Sequence, residues 1–494
     1  MIRLLPEPLV VRATAIALAA SVLMLAGCAD MAGIESHATL RNADSLGLSA
    51  PVAAPTVAAS AVDARWWLAF QDPQLDALVE QGLQGNPNLQ VARARLQRAQ
   101  AATAAAEAAD KPQINGSLDL MRQKFSSNYI YPAPLGGSIQ ETGNLQLSGS
   151  WELDFFGKNR AALDTAIGTA NAAAAEVDAA RVLLASNIAR SYFQWVRLSE
   201  QLVVARRTLA QRDETLKLVR DRVSAGLDTR LELRQSEGGL PEARQQIEAL
   251  NEQVALAQHA LDALVGQPNA TRSLAPRSLD GVRGMALQAV IPADLLGRRA
   301  DIAAARWRVE AATSDVANAK TQFYPNINLV AFAGLQSLGL DRLLKSDAQQ
   351  WGVGPAIRLP IFEGGRLRAN LRGKAADLDA AIESYNASVL DAVRDVADQV
   401  TSAQSIGRQQ AEQREAQTAA EGAYQIAVQR YRAGLGNYLN VLTAETAVLA
   451  QRRLAVDLAA RALDTQVNLA RALGGGWQPP VAVAGNGTVG SVAH

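Results

Sequence analysis

The chain is one unit written twice, and this duplication restricts its fold more than any other feature. Lys111-Pro112-Gln113-Ile114 returns as Tyr324-Pro325-Asn326-Ile327, a shift of 213 residues from Pro112 to Pro325. Asp154-Phe155-Phe156-Gly157-Lys158-Asn159-Arg160 returns as Pro360-Ile361-Phe362-Glu363-Gly364-Gly365-Arg366, a shift of 206 between the two arginines. Arg222-Val223-Ser224-Ala225-Gly226-Leu227 returns as Arg430-Tyr431-Arg432-Ala433-Gly434-Leu435, a shift of 208 between the two glycines. Preserved order and a nearly constant shift mark tandem copies, and the fall from 213 to 206 gives the first copy the longer loop between its strands. Each copy reads as helix, strand, loop, strand, very long helix, turn, long helix.

The helical parts carry a coiled-coil seam. Leu184, Ile188, Ser191, Trp195, Leu198, Leu202, Ala205 and Leu209 alternate steps of four and three, and after a break at Arg212 the seam resumes at Leu216, Val219 and Val223. Val389, Val393, Val396, Val400 and Ala403 keep the rhythm in the second copy. No proline lies between Phe155 and Leu240 or between Phe362 and Trp477, so long helices are predicted over about 158–224 and 365–432. The first would run ~100 Å, several times the width of an ordinary domain. Abundant alanine and an aromatic content of 5% suit closely packed helices. At both Ala-Gly-Leu sequences glycine supplies the left-handed backbone that a helix reversal requires, leaving Leu227 and Leu435 as apolar tips where a partner is expected to dock.

Four stretches, at about 112–122, 144–155, 325–335 and 351–362, alternate with the period of a strand. Leu145, Leu147, Gly149, Trp151, Leu153 and Phe155 take one face, and Gln146, Ser148, Ser150, Glu152 and Asp154 the other. Each stretch has about the length of a tilted transmembrane strand, roughly 9–11 residues. A soluble antiparallel sheet has the same period, so alternation alone leaves the choice open. A membrane sheet must close on itself, however, and the smallest bacterial barrels need about eight strands. Four strands entering a membrane therefore require several chains to share one barrel, and three chains supply twelve.

The amino terminus is laid out for export. Arg3 and Arg12 precede an apolar stretch from Ala13 to Leu25, with Glu7 an irregular feature, and the single cysteine lies in Leu25-Ala26-Gly27-Cys28. This resembles the bacterial lipobox, which predicts a signal peptide at 1–27 and a diacylglycerol and N-acyl lipid on Cys28 as the one covalent cofactor; a buried cysteine in a signal anchor is the alternative. Ala29, rather than aspartate, next to that cysteine implies passage to the outer membrane. Residues 28–62 read as a lipidated flexible tether and 478–494 as a flexible tail, with the first repeat over 63–275 and the second over 276–477.

Composition removes other classes. Forty-eight basic residues against 48 acidic ones give no charge excess for nucleic acid. His37, His259, His494 and Cys28 are too scattered for a metal cluster. No phosphate loop or nucleophile elbow is present, and Gly364-Gly365 and Gly474-Gly475-Gly476 lack a nucleotide fingerprint, so no enzyme activity is expected. Glu152 and Asp154 share a strand face and read as wet wall residues rather than a catalytic pair.

Taken together, the chain resembles the outer membrane factor family, the TolC- and OprM-type efflux ducts, in its NodT-like lipoprotein branch. The segments that carry the resemblance are Trp66-Trp67-Leu68-Ala69-Phe70-Gln71-Asp72-Pro73-Gln74-Leu75-Asp76-Ala77-Leu78, Trp151 to Gly157, Pro292-Ala293-Asp294-Leu295-Leu296-Gly297-Arg298-Arg299-Ala300-Asp301-Ile302, and Leu359 to Arg366. Ala300 departs from the family's usual proline. The resemblance implies a mixed, mainly α fold with transmembrane β: a trimeric twelve-stranded barrel in the outer membrane, continued by an α-helical coiled-coil barrel in the periplasm. It implies passive export of drugs and other small molecules, with a periplasmic adaptor and an inner-membrane pump of the resistance-nodulation-division type as partners. An ABC-type or metal exporter is the alternative pump, and a poreless scaffold lipoprotein the alternative function. Ala225, Gly226, Leu227, Ala433, Gly434 and Leu435 match the family's adaptor-contacting tips. Glu232 and Tyr431 match gate-bridge positions, while Asn440 and Thr443, with Gly436, stand where some members carry charge, so no aspartate ring is expected there. Glu232 also reads simply as an exposed helical acid.

Overall fold

The computed structural model describes residues 31–41, 62–279, 282, 285 and 295–479. The expected signal peptide, Cys28, much of the tether and residues 480–494 of the tail lie outside the described residues. In chain order the elements are α1 (Pro73–Gly85), α2 (Pro87–Ala109), β1 (Gln113–Lys124), β2 (Ile139–Glu152), α3 (Lys158–Ser224), α4 (Arg230–Val265), α5 (Ala300–Thr321), β3 (Asn326–Leu338), β4 (Gln349–Arg358), α6 (Arg366–Arg432) and α7 (Tyr438–Ala472). Among the described residues the second copy repeats the first from α2 onward, α5 standing at the same 213-residue shift from α2, Pro87 to Ala300, that separates Pro112 from Pro325. In the first copy Pro87 interrupts the helix, and Asn86 Oδ1 restarts it by accepting the Asn88 N–H at 2.8 Å. Both α3 and α6 have 67 residues, ~100 Å each.

The chain divides into two compact units, one built from 1–40, 96–173 and 305–385, the other from 41–95, 174–304 and 386–494. The first unit holds a four-stranded antiparallel sheet in the order β1-β2-β3-β4. Its ladder extends beyond the apolar alternation: β2 begins at Ile139 because Ile139, Gln140 and Glu141 pair with Lys124, Gln123 and Arg122. At the other end β2 stops at Glu152 and β4 at Arg358, short of the predicted 155 and 362, where Asp154 turns in to accept the Arg160 N–H of α3 and Pro360 has no donor.

Register aligns one apolar face across the strands. Leu118, Leu145 and Leu335 form one row; Leu147, Ala333 and Trp351 the next; Ile114, Gly149, Ala331 and Val353 a third. In this protomer that face is open to solvent, with Ile114 75% and Trp351 78% exposed. The opposite face carries Asn115, Ser117, Asp119, Asn144, Gln146 and Ser148, but β3 brings Val330 and Phe332 to it. Phe332 fits because its partner is Gly352, where a Cβ would lie 2.7 Å from the ring. Gln350 reaches over Gly334 to donate to Asn144 Oδ1 at 2.9 Å.

Part of the predicted tether is fixed in the same unit. Ile34 is buried among Phe323, Leu367, Leu371 and Ala375. Asp379 Oδ1 accepts from Ser36 Oγ at 2.6 Å and from the backbone N–H groups of His37 and Ala38 at 2.8 and 2.9 Å. The strap from Met31 to Arg41 shows no period, so its order comes from the distant Asp379 carboxylate and from the apolar cluster that takes Ile34.

The second unit has the larger core. Trp66–Phe70 form a 3-10 turn, Gln71 takes φ 54°, and Asp72 caps α1 by accepting the Gln74 N–H at 3.0 Å. The Tyr192 hydroxyl donates to the other Asp72 oxygen at 2.6 Å, and Phe70 meets Phe193 edge-on at 4.9 Å. Leu184, Ile188, Trp195, Leu198, Leu202 and Ala205 of the seam are buried, but so are Tyr192, Phe193 and Val196 beside it. The turn before α1 therefore covers a second face of α3. Arg299 holds Asp301 at 3.0 and 2.7 Å and donates to the Ala472 carbonyl at 3.2 Å, placing a cation at the end of α7. Ala300 is the first residue of α5, where proline and alanine are both tolerated, so its departure from the family pattern costs the helix nothing.

Candidate functional site

Each hairpin tip is the same backbone device. The Gly226 N–H donates to Val223 O at 3.0 Å and the Leu227 N–H to Arg222 O at 2.9 Å. In the second tip the Gly434 N–H donates to Tyr431 O at 3.1 Å and the Leu435 N–H to Arg430 O at 2.8 Å. This paired pattern is a Schellman turn, and φ of +70° and +74° at the two glycines explains why glycine stands there. Ala225, Gly226, Leu227, Ala433, Gly434 and Leu435 are all exposed. Two further leucines, unsuspected from the sequence, extend the apolar tips: Leu227 and Leu231 are 65% and 63% exposed, Leu435 and Leu439 69% and 60%. Their common signal is a leucine four residues after the tip leucine in both copies.

Side chains make the tips differ. Asp228 accepts from Arg222 Nε at 2.9 Å and Nη2 at 3.3 Å, and the Tyr431 hydroxyl donates to the same carboxylate. The Arg222 guanidinium lies 4.6 Å over the Tyr431 ring, a cation-π contact. Tyr431 is fully buried beside Val219, Tyr438 and Val441. Partial burial raises the Asp228 pKa, but the Arg222 and Tyr431 hydrogen bonds outweigh it, and the net shift is downward. Burial, then Asp228, pushes the Tyr431 hydroxyl up, so it remains a donor.

Glu232, which the resemblance matches to a gate-bridge position, caps its own helix within the protomer. It accepts from the Thr229 N–H at 3.0 Å and from the Thr229 hydroxyl, while Thr229 Oγ1 accepts from the Leu231 N–H at 3.1 Å. These bonds form a capping box at the start of α4, and the Thr229 hydroxyl is the main cause of the lowered Glu232 pKa. Within the protomer it is Asp228 that receives the Tyr431 hydroxyl. Asn440 occupies the matching position on α7, its N–H bonded to Asn437 Oδ1 at 3.1 Å, and Thr443 returns its hydroxyl to Leu439 O at 2.9 Å. Both are exposed.

Further along the same helices, Arg212 breaks the apolar seam because it is a half-buried ion-pair residue. It meets Glu445 at 3.2 Å and Glu242 at 2.9 Å and donates to Gly239 O at 2.8 Å. Burial raises the Glu445 pKa, with Arg212 pulling the other way. The break in periodicity was the visible signal for Arg212; nothing in the spacing marked Glu445 or Asp228.

With these features in place, comparison with known proteins is decisive. The outer membrane efflux protein family matches residues 78–267 and 291–475, one match in each copy. The chain belongs to that family. It is 40% identical over 367 residues to the fusaric acid resistance protein FusA of Burkholderia cepacia, covering 72% of this chain and 68% of that one. It is 33% identical to a putative multidrug resistance outer membrane protein, MdtQ, of Shigella flexneri, covering 92% and 97%. The fold is similar to the outer membrane protein VceC of Vibrio cholerae at 36% identity and TM-score 0.79, covering 83% and 98%. It is also similar to the outer-membrane channel OprN at 29% identity and TM-score 0.80, covering 90% and 98%. The chain is thus an outer membrane efflux channel of Gram-negative type, its sheet the transmembrane β part and its long helices the helical-barrel part.

Proposed function

We propose that three copies of this chain form the exit duct of a tripartite efflux system. The observation that carries the reading is the sheet: four strands with a continuous apolar face, while β1 and β4 each leave one edge unpaired in the protomer. Lipid supplies no partner for an open edge, and three such sheets supply twelve strands for closure. Cys28 would carry the lipid anchor. A periplasmic adaptor would dock on the four tip leucines, and a proton-driven inner-membrane pump would supply the energy. The cargo would be small amphiphilic toxicants, in keeping with the relatives named for multidrug and fusaric acid resistance.

The closing bridge of this duct would be Tyr431 on Asp228, held by Arg222, with Asn440 and Thr443 as uncharged neighbours. Native mass spectrometry of the full gene product in mild detergent tests the assembly. A trimer of chains beginning at acylated Cys28 is expected; monomers or dimers in every detergent would remove the duct.

A further inference from the structure

The helices that leave the two tips differ in how firmly they are built. In α4 the run Gly238-Gly239-Leu240-Pro241 puts three poor helix formers into four positions. The glycines restrain the backbone least, and Pro241 has no N–H to return to the Glu237 carbonyl. At the shift of 208 residues that relates the tips, α7 reads Thr446-Ala447-Val448-Leu449, with a backbone donor at every position. Leu240 and Val448 are both buried, so the two runs occupy matching places. Packing does not ask for the glycines. Among the described residues a Cβ at Gly238 would meet nothing within 4 Å, one at Gly239 would touch the Arg212 side chain at an ordinary 3.6 Å, and neither backbone is left-handed. Room for movement lies alongside, in a cavity of about 260 Å³ lined by both glycines with Tyr424 and Tyr438.

We propose that residues 238–241 are a hinge in α4 and that Arg212 is its latch, so that the segment Arg230–Glu237 swings with the first tip when the latch is released. Arg212 grips the weak point from α3: it donates to the Gly239 carbonyl at 2.8 Å and meets Glu242 at 2.9 Å, while also holding Glu445 of α7 at 3.2 Å. Burial is uneven about the run. On its tip side α4 buries Ser236; within and beyond it α4 buries Leu240, Ala243, Leu250, Leu261 and Val265. A segment with little buried surface, joined through a weak stretch of helix, opens at a lower free energy than the helix it belongs to. The use of this motion, widening the periplasmic end when a partner pulls on Leu227 and Leu231, rests on the duct reading above.

The test is hydrogen exchange of the full chain in mild detergent, with residues 438–445 of the second copy as the internal control for residues 230–237. The first segment should exchange about tenfold faster than the second, and Gly238→Ala with Gly239→Ala should remove about tenfold of its rate by repairing the helix. Adding Pro241→Ala should slow it further. Arg212→Gln should quicken 230–237 while 250–265 stays unchanged. Equal exchange in the two wild-type segments, or no slowing by the alanines, would overturn the hinge; an Arg212→Gln chain that loosens 250–265 equally would overturn the latch. Conductance of the inserted protein in planar bilayers addresses the use of the motion: the alanine variant should conduct less than wild type and Arg212→Gln more. Unchanged conductance in channels that show the exchange differences would remove the hinge from opening and leave the duct standing. Absence of any conductance or trimer in wild type and variants alike would sink the duct reading, with the exchange result still deciding the hinge.

Discussion

The two hairpin tips share a backbone and differ in what holds it. Both end in the same Schellman turn, with leucines at equivalent places. In the first, Asp228 clamps Arg222 and receives Tyr431, and Thr229 with Glu232 closes a capping box. In the second, the place of Asp228 is taken by Gly436; Arg430 reaches the Leu435 carbonyl at 3.2 Å, and Asn437 alone caps α7. The turn was retained in both copies because a helix reversal needs a left-handed residue. The clamp exists once, and its third member comes from the other hairpin, so the asymmetry sits where a gate between hairpins would need it.

The hardest way to break the shared part is Gly226→Val with Gly434→Val. A β-branched residue in the left-handed region costs at least ~1–2 kcal/mol at each turn. Export should fall by an order of magnitude or more in a resistance assay while the amount of membrane-inserted protein stays constant. Normal export by the well-expressed double variant would disprove the docking role of the tips.

Asp228→Ala attacks the asymmetry itself. Loss of a carboxylate that accepts from an arginine and a buried tyrosine should weaken the first tip by about 1–3 kcal/mol. Hydrogen exchange at residues 219–232 should then quicken at least fivefold, with the 433–440 turn little changed. Asn437→Ala is the converse, a lost cap worth about 1 kcal/mol in the second tip. Equal effects of the two changes on both tips would deny that they are separately held.

Acid separates the clamp from the deeper ion pair. Asp228 has its folded pKa below the ordinary 3.8, so its contribution is present above 3.8 and is lost only as pH falls through the depressed value. Glu445 has its folded pKa above the ordinary 4.5, so the folded chain holds the proton to higher pH and acidification toward 4.5 stabilises that site. As pH falls from 7 toward 4.5, after correction for intrinsic exchange, tip protection should be flat while protection at 441–450 rises. Glu445→Gln should erase that rise. The smallest effect is expected for Leu231→Ser with Leu439→Ser: within about 0.5 kcal/mol on stability at exposed positions, yet a measurable drop in adaptor copurification.

Much of the fold was legible in the sequence because its devices are periodic. The coiled-coil rhythm marked α3 and α6, the two-residue alternation marked all four strands, and glycine marked both turns. Strand ends were misjudged where hydrogen bonding outlasted the apolar pattern, as at Ile139, or stopped before it, as at Arg358. The candidate site was legible only in part. Tyr431 was singled out through the resemblance, but Asp228, the residue its hydroxyl reaches in the protomer, lies 203 residues away and carried no mark in the sequence. The strap at residues 31–41 was read as free because its acceptor, Asp379, is more than 340 residues distant.

The division has a physical cause. Helix, strand and turn depend on φ, ψ and which face of a short segment is apolar, and those are properties of neighbouring residues, so the duplicated sequence determined them by itself. A buried polar group must instead find a partner within about 3 Å in space. Arg212 interrupting a run of apolar seam positions announced a charge held between helices. That Glu445 and Glu242 answer it, that Glu232 turns back to cap its own helix, and that Asp228 receives Tyr431 were decided by which helices the tertiary structure laid side by side.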